Sequence, residues 1–149
     1  MDRKLTEPEI TFFSPIENKK GNILHALKST DSTFCGFGEA YFSTVHFQDI
    51  KGWKQHSRMT SNLVVPAGRV LFVVLDPAQN IFGEYVLGED RYGRLTIPPK
   101  YWLAFAGLTD GKNLLLNVSN LAHDPEEQRN CSLETVPVDV RSILSRHLE

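Results

Sequence analysis

Cysteine is scarce in this 149-residue chain: Cys35 and Cys131 are its two thiols, they lie far apart, and no CxxC occurs. That leaves no framework for a disulfide scaffold or a cysteine-based metal site, and two free thiols in a reducing compartment are the expectation. An excess of either charge is missing too. Sixteen Lys and Arg face eighteen Asp and Glu, a net charge of -2, so the basic surplus of a nucleic-acid binder is absent. No apolar run reaches the 18 residues that a membrane-spanning helix needs. The first ten residues, MDRKLTEPEI, hold no apolar stretch of the signal-peptide kind, and a cytoplasmic location is expected. No internal repeat and no low-complexity linker breaks the chain, so it reads as one domain over 1–149 with a core at about 21–125. The PAG, LGED and TDGK segments are turns, and none resembles a phosphate-binding loop.

What the sequence does have is a succession of short apolar runs. EAYFSTVHF alternates. SNLVVPAGRVLFVVLD is two runs joined at Pro66-Ala67-Gly68, GEYVLGEDRYGRLTIPP is two more around an acidic turn, and YWLAFAGL and NLLLNVSNL follow. This spacing predicts an all-β fold, an antiparallel sandwich or barrel. GNILHALK (21–28) reads equally as a turn or a strand. DPEEQR (124–129) carries an Asp N-cap, a Pro at the first helical position and acids in the first turn. VDVRSILSRHLE sets Val140, Ile143 and Leu144 on one helical face, predicting a short C-terminal helix. NLVV and RVLFVVLD have so few polar residues that both faces of these strands must be covered. One face belongs inside the barrel, and the other calls for a neighbour, here expected to be a second subunit.

The chemistry concentrates in IKGWKQHSR. As a strand it turns Lys54, His56 and Arg58 to one face, with Trp53 and Gln55 facing away. A bulge at Gly52 is the place where that alternation would slip. Three cations on a near-neutral chain fit a small anionic ligand, although a solvated strand face is the plainer alternative. Imidazole titrates near neutrality and suits a general base, and an ammonium group on the same face suits an enolate oxygen.

In the order of its blocks, the chain resembles the cupins, and within them the branch that modifies sugar nucleotides, the dTDP-4-dehydrorhamnose 3,5-epimerases and dTDP-4-keto-sugar 3,4-ketoisomerases. The blocks are GNILHALKSTDSTFCGFGEAYFSTV, KGWKQH, LVVPAGRVLFVVLD, GEYVLG, RLTIPPKYWLAF and NLLLNVSNLAHDPEE, from about Gly21 to Pro125. The resemblance implies a jelly-roll barrel, a homodimer and a nucleotide-linked 4-keto-6-deoxy sugar as substrate, in glycan or surface-polysaccharide biosynthesis. Against the metal-binding cupin motifs, Lys54, Asn62 and Leu103 replace three of four ligands and only His56 survives. No metal and no other cofactor is therefore expected.

The epimerases' R-G-L-H-x-Q becomes Lys51-Gly52-Trp53-Lys54-Gln55-His56, and His56 matches the second His of the ketoisomerases' R-G-x-H-x-H. The epimerases' catalytic Tyr aligns with Asn117. The catalytic candidates are thus His56 as base and Lys54 for the enolate. Lys51, Arg58 and Arg69 are candidates for a diphosphate, Tyr101 for stacking on a base or sugar, Asn117, Asn120 and His123 for lining the mouth, and Asn62, at a cupin ligand position, for substrate binding. The rival reading is a non-catalytic cupin that binds a sugar nucleotide or a protein partner.

Overall fold

The structure, a computed structural model, describes residues 5–148. The first four residues of MDRKLTEPEI and Glu149, at the end of the predicted helix, lie outside them. The elements described are β1 (Glu9–Phe12), β2 (Glu39–Thr44), β3 (Ile50–His56), β4 (Ser61–Ala67), β5 (Arg69–Leu75), β6 (Ile81–Gly88), β7 (Gly93–Ile97), β8 (Trp102–Gly107) and β9 (Leu114–Ser119). A 3-10 turn (Pro125–Glu127), β10 (Gln128–Asn130) and α1 (Val140–Leu148) complete the chain. The strands form two five-stranded sheets, in the orders β1-β7-β4-β9-β2 and β10-β3-β8-β5-β6, with every named pairing antiparallel. This is the antiparallel two-sheet architecture predicted from the turn spacing, and the jelly roll that the resemblance implies. GNILHALK forms no named strand; its Ile23 makes an isolated bridge with Ile16.

Two apolar clusters follow from strand alternation. Between the sheets lie Leu63, Val65, Val70, Phe72, Val74, Leu95 and Leu115. Outside the second sheet, Leu71, Val73 and Leu75, the other face of β5, pack with Trp53, Trp102 and Ala104 against Val136, Val140, Ile143 and Leu144. The two faces of RVLFVVL are thus covered as its composition requires. The cover on the outer side is the chain's own C-terminal helix, which corrects the expectation that a second subunit supplies it. Capping by Asp139, whose Oδ1 accepts from Ser142 N at 3.1 Å, starts α1. At the other end, Glu84 on β6 receives His147 Nε2 at 3.0 Å and Arg146 at 3.2 Å. Burial pushes the Glu84 carboxyl up, but the hydrogen bonds and charges of His147 and Arg146 outweigh it and hold the carboxyl below its ordinary range.

The outer face of the first sheet is covered differently, by the irregular segment before β2 and through polar contacts. Arg94 on β7 donates to Ala26 O at 2.8 Å and to Asp31 Oδ2 at 3.0 Å, and Tyr92 Oη donates to His25 O at 2.8 Å.

Candidate active site

One cavity of about 350 Å³ opens between the sheets, walled by Tyr41, Lys51, Lys54, His56, Leu63, Tyr101, Leu103, Phe105, Asn117 and Cys131, among others. Among the described residues, no Asp or Glu lines it. On the first sheet a row of paired residues, Tyr41, Asn117 and Leu63 on β2, β9 and β4, forms one wall. On the second, Lys54 of β3 stands opposite Leu103 of β8, and Lys51 opposite Phe105.

Lys51 and Lys54 are three residues apart and would face opposite ways on a regular strand. The register of β3 against β8 shifts between Gly52 and Lys54, so Gly52 and Trp53 both turn outward and the two lysines both turn in. Only glycine fits at this point. A Cβ on Gly52, whose φ is +157°, would stand 2.5 Å from Ala104 Cβ. Trp53 is buried in the outer cluster, and Gln55 points out to donate from Nε2 to Lys100 O at 2.7 Å. Lys51 Nζ donates to Thr44 O at 2.7 Å and Ser43 Oγ at 3.2 Å, whereas Lys54 has neither a hydrogen-bond partner nor a counter-ion among the described residues. A cavity with an uncompensated ammonium group and no carboxylate suits an anionic or electron-rich ligand.

His56 ends β3 with its side chain on the cavity side. Its Nδ1 meets Glu127 Oε1, a carboxylate only 1% exposed. Glu127 Oε2 accepts the backbone N–H groups of Arg58 at 3.1 Å and Met59 at 3.2 Å. Burial pushes this carboxyl up, but the hydrogen bond and charge of His56, with the two backbone N–H groups, outweigh that and hold it below the ordinary carboxylate range. An ionised carboxylate can only accept, so Nδ1 carries a proton, and in the neutral imidazole the lone pair is on Nε2. The 3-10 turn delivers Glu127 to this place. Asp124 caps it by accepting from Glu126 N at 3.0 Å, and β10 then pairs Gln128 with His56. The predicted capping signal at DPEEQR therefore sets the position of the one buried acid beside His56.

The expected cluster is only partly assembled. Lys51, Lys54, His56, Tyr101 and Asn117 share the cavity. Tyr101 Oη donates to Thr6 O at 3.3 Å, and burial raises its pKa, with the charges of Glu7 and Asp76 adding to the shift. Arg58 does not join them, because β3 ends at His56 and the chain bends; its exposed guanidinium sits 3.3 Å from Asp124. Asn62 does not either. Ser61 and Leu63 take the inner positions of β4, and alternation turns Asn62 outward, where Oδ1 accepts from Thr96 Oγ1 at 2.7 Å and Thr33 Oγ1 at 3.4 Å. Arg69 begins β5 in a separate groove, 3.8 Å from Asp90. His123 is exposed, and its backbone N–H donates to Glu39 Oε2 at 3.1 Å.

Two residues at the site escaped sequence reasoning. One is Glu127. The other is Tyr41, which alternation alone marks as one face of EAYFSTVHF without saying what it meets. Across the β2–β9 ladder it meets Asn117, whose Nδ2 donates to Tyr41 Oη at 3.2 Å. A phenol thus stands beside the asparagine that replaces the expected tyrosine.

No family model matches the chain, and no curated protein does. Solved structures do. A dTDP sugar isomerase from Desulfovibrio desulfuricans G20 is 30% identical over 89% of either chain, with a TM-score of 0.82. QdtA, a sugar 3,4-ketoisomerase from Thermoanaerobacterium thermosaccharolyticum in complex with TDP, is 21% identical, covering 85% of this chain and 89% of that one, with a TM-score of 0.68. A dTDP-4-dehydrorhamnose 3,5-epimerase from Sulfolobus tokodaii is 18% identical over 89% of this chain and 82% of its own, with a TM-score of 0.73. The last two share the fold.

Proposed function

The chain belongs to the cupin family of sugar-nucleotide isomerases and epimerases, and we propose that it moves a proton beside the C4 ketone of a nucleotide-linked 4-keto-6-deoxy sugar, as an epimerase or ketoisomerase. The observation that carries this reading is the buried Glu127–His56 pair opening onto a cavity that holds Lys54 and no carboxylate. His56 Nε2 takes the proton from the carbon next to the ketone. Electron density moves to the ketone oxygen, where the Lys54 ammonium and the Tyr41 hydroxyl offset it. Tyr41 is fit for that part because Asn117 Nδ2 already donates to its oxygen, which leaves the phenolic proton for the cavity. In ketoisomerisation the imidazolium returns the proton to the neighbouring carbon after a proton passes between the two oxygens; in epimerisation a second acid on the opposite face of the ring delivers a proton to the same carbon, and His56 later gives the one it took to solvent. No step in this sequence calls on a cofactor. Lys51 is the cation for the nucleotide's phosphates, and Tyr101 offers a flat surface to base or sugar.

The same reading places the chain in the cytoplasm and in glycan biosynthesis, with the nucleotide sugar as its ligand. The proposal of a homodimer now rests on different residues. Phe37, Phe42 and Phe47 are 66%, 64% and 40% exposed around the edge strand β2, a surface that a second copy would cover.

Incubation with dTDP-4-keto-6-deoxyglucose in D2O tests the activity. Deuterium is expected at a carbon next to the ketone, and His56→Ala should slow its appearance by about 10²-fold or more. Absence of exchange, with the nucleotide sugar nevertheless bound, would leave the chain a binding protein.

A further inference from the structure

Asn117 is 3% exposed and faces the cavity, and its two amide atoms are in opposite states. Nδ2 is spent on Tyr41 Oη; Oδ1 is buried with no hydrogen-bond partner. A buried acceptor left unpaired carries a desolvation penalty that a ligand donor would relieve. Asn117 lies between Tyr41 and Leu63 in the ladder, and Leu63 offers no donor. A donor on a molecule filling the cavity would satisfy it.

We propose that Asn117 is a specificity-determining residue: its Oδ1 accepts the hydroxyl on the carbon adjacent to the ketone, so that the wall formed by Tyr41 and Asn117 reads an α-hydroxyketone as one unit. The inference rests on the proton-transfer reading given above. A ketone oxygen is an acceptor and needs a donor, which Tyr41 supplies once its own oxygen is occupied by Asn117. A hydroxyl on the next carbon is a donor and needs an acceptor, which is Oδ1. The two protein atoms are neighbours through the Asn117 amide and its bond to Tyr41, as the two ligand oxygens are neighbours on adjacent carbons. The pairing also survives the reaction. When the proton leaves and an enediol forms, the hydroxyl keeps its bond to Oδ1 while charge grows at the oxygen facing Tyr41. An asparagine does this without titrating, and so holds the substrate without competing with His56 for the proton. A tyrosine at this position would put a second weak acid there and remove the dedicated acceptor.

The test compares dTDP-4-keto-6-deoxyglucose with its 3-deoxy analogue, which keeps the ketone and an exchangeable α-proton but lacks the neighbouring hydroxyl. Deuterium incorporation is measured as kcat/KM for each substrate. The wild-type protein is expected to favour the hydroxylated sugar by roughly 10- to 100-fold, the consequence of stranding a buried acceptor. In Asn117→Leu the preference should collapse to within about threefold, through a fall on the hydroxylated substrate. The variant also controls for any effect of the hydroxyl on α-proton acidity, which it cannot alter. Equal rates on both sugars in the wild-type protein would overturn the inference while leaving the proton-transfer reading standing, and this arm needs no variant. An unchanged preference in Asn117→Leu would overturn it as well. No exchange on either sugar would overturn both.

Discussion

Glu127→Gln isolates one property of the buried pair, the direction in which its hydrogen bonds run. The glutamine fills the same space but brings one acceptor oxygen and an NH2 group. Two backbone donors, from Arg58 and Met59, compete for the oxygen. If they keep it, the NH2 group faces His56 Nδ1, which must then accept. The ring proton moves to Nε2, and the nitrogen in the cavity changes from base to donor. General-base catalysis is worth about 10² to 10⁴ in rate, and deuterium exchange is expected to fall by that factor. Affinity for TDP should stay within about threefold, because Glu127 does not line the cavity.

Stability should fall by about 1 to 3 kcal/mol, since hydrogen bonds to a charged group exceed neutral ones by roughly 1 kcal/mol each. The pH dependence has a definite sign. The folded carboxyl titrates below its unfolded value, so its stabilisation is present above about pH 4.3 and is lost as pH falls through the folded pKa. The wild-type melting temperature should therefore drop on acidification more steeply than that of the variant. Nitrogen-15 chemical shifts of His56 report the tautomer directly. Exchange within threefold of wild type, or a proton still on Nδ1 in the glutamine variant, refutes the reasoning.

Lys54→Ala should slow exchange while the protein stays folded, because Lys54 is exposed to the cavity and has no hydrogen-bond partner or counter-ion among the described residues; Lys54→Arg should rescue it only in part, since a planar guanidinium places its charge differently. Full activity in Lys54→Ala would remove it from the site. Leu144→Ala should cost about 2 to 5 kcal/mol in chemical denaturation, because Leu144 is 5% exposed against the outer face of the second sheet. A loss under 1 kcal/mol would mean that α1 contributes little to the fold.

The legibility of the sequence stops where contacts become remote. LVVPAGRVLFVVLD names two adjacent core strands because alternation and the Pro-Ala-Gly turn are local, and Lys54 and His56 share a face for the same local reason. Arg58 belongs to the same pattern on paper, but the strand ends two residues earlier, and the end depends on Glu127 gripping the backbone from 69 positions away. Asn62 enters the candidate list through its place at a cupin ligand position; alternation sends it outward. Tyr41 stands 76 residues from Asn117, and no period within β2 reveals that register. The second cover for β5 was correctly required by its composition, yet the composition of α1 could not say which face it would meet.

The fastening of α1 bears on how this protein would behave as a material in solution. Its apolar seal over Leu71, Val73 and Leu75 is held at the far end by Glu84, whose stabilising ionisation is present above about pH 4.3 and disappears as acidification carries it through its lower folded pKa. Protonation there loosens a flap and bares a greasy stripe on a sheet that is otherwise intact. Colloidal trouble in acid should thus begin at the back of the barrel, with flocculation of nearly native particles.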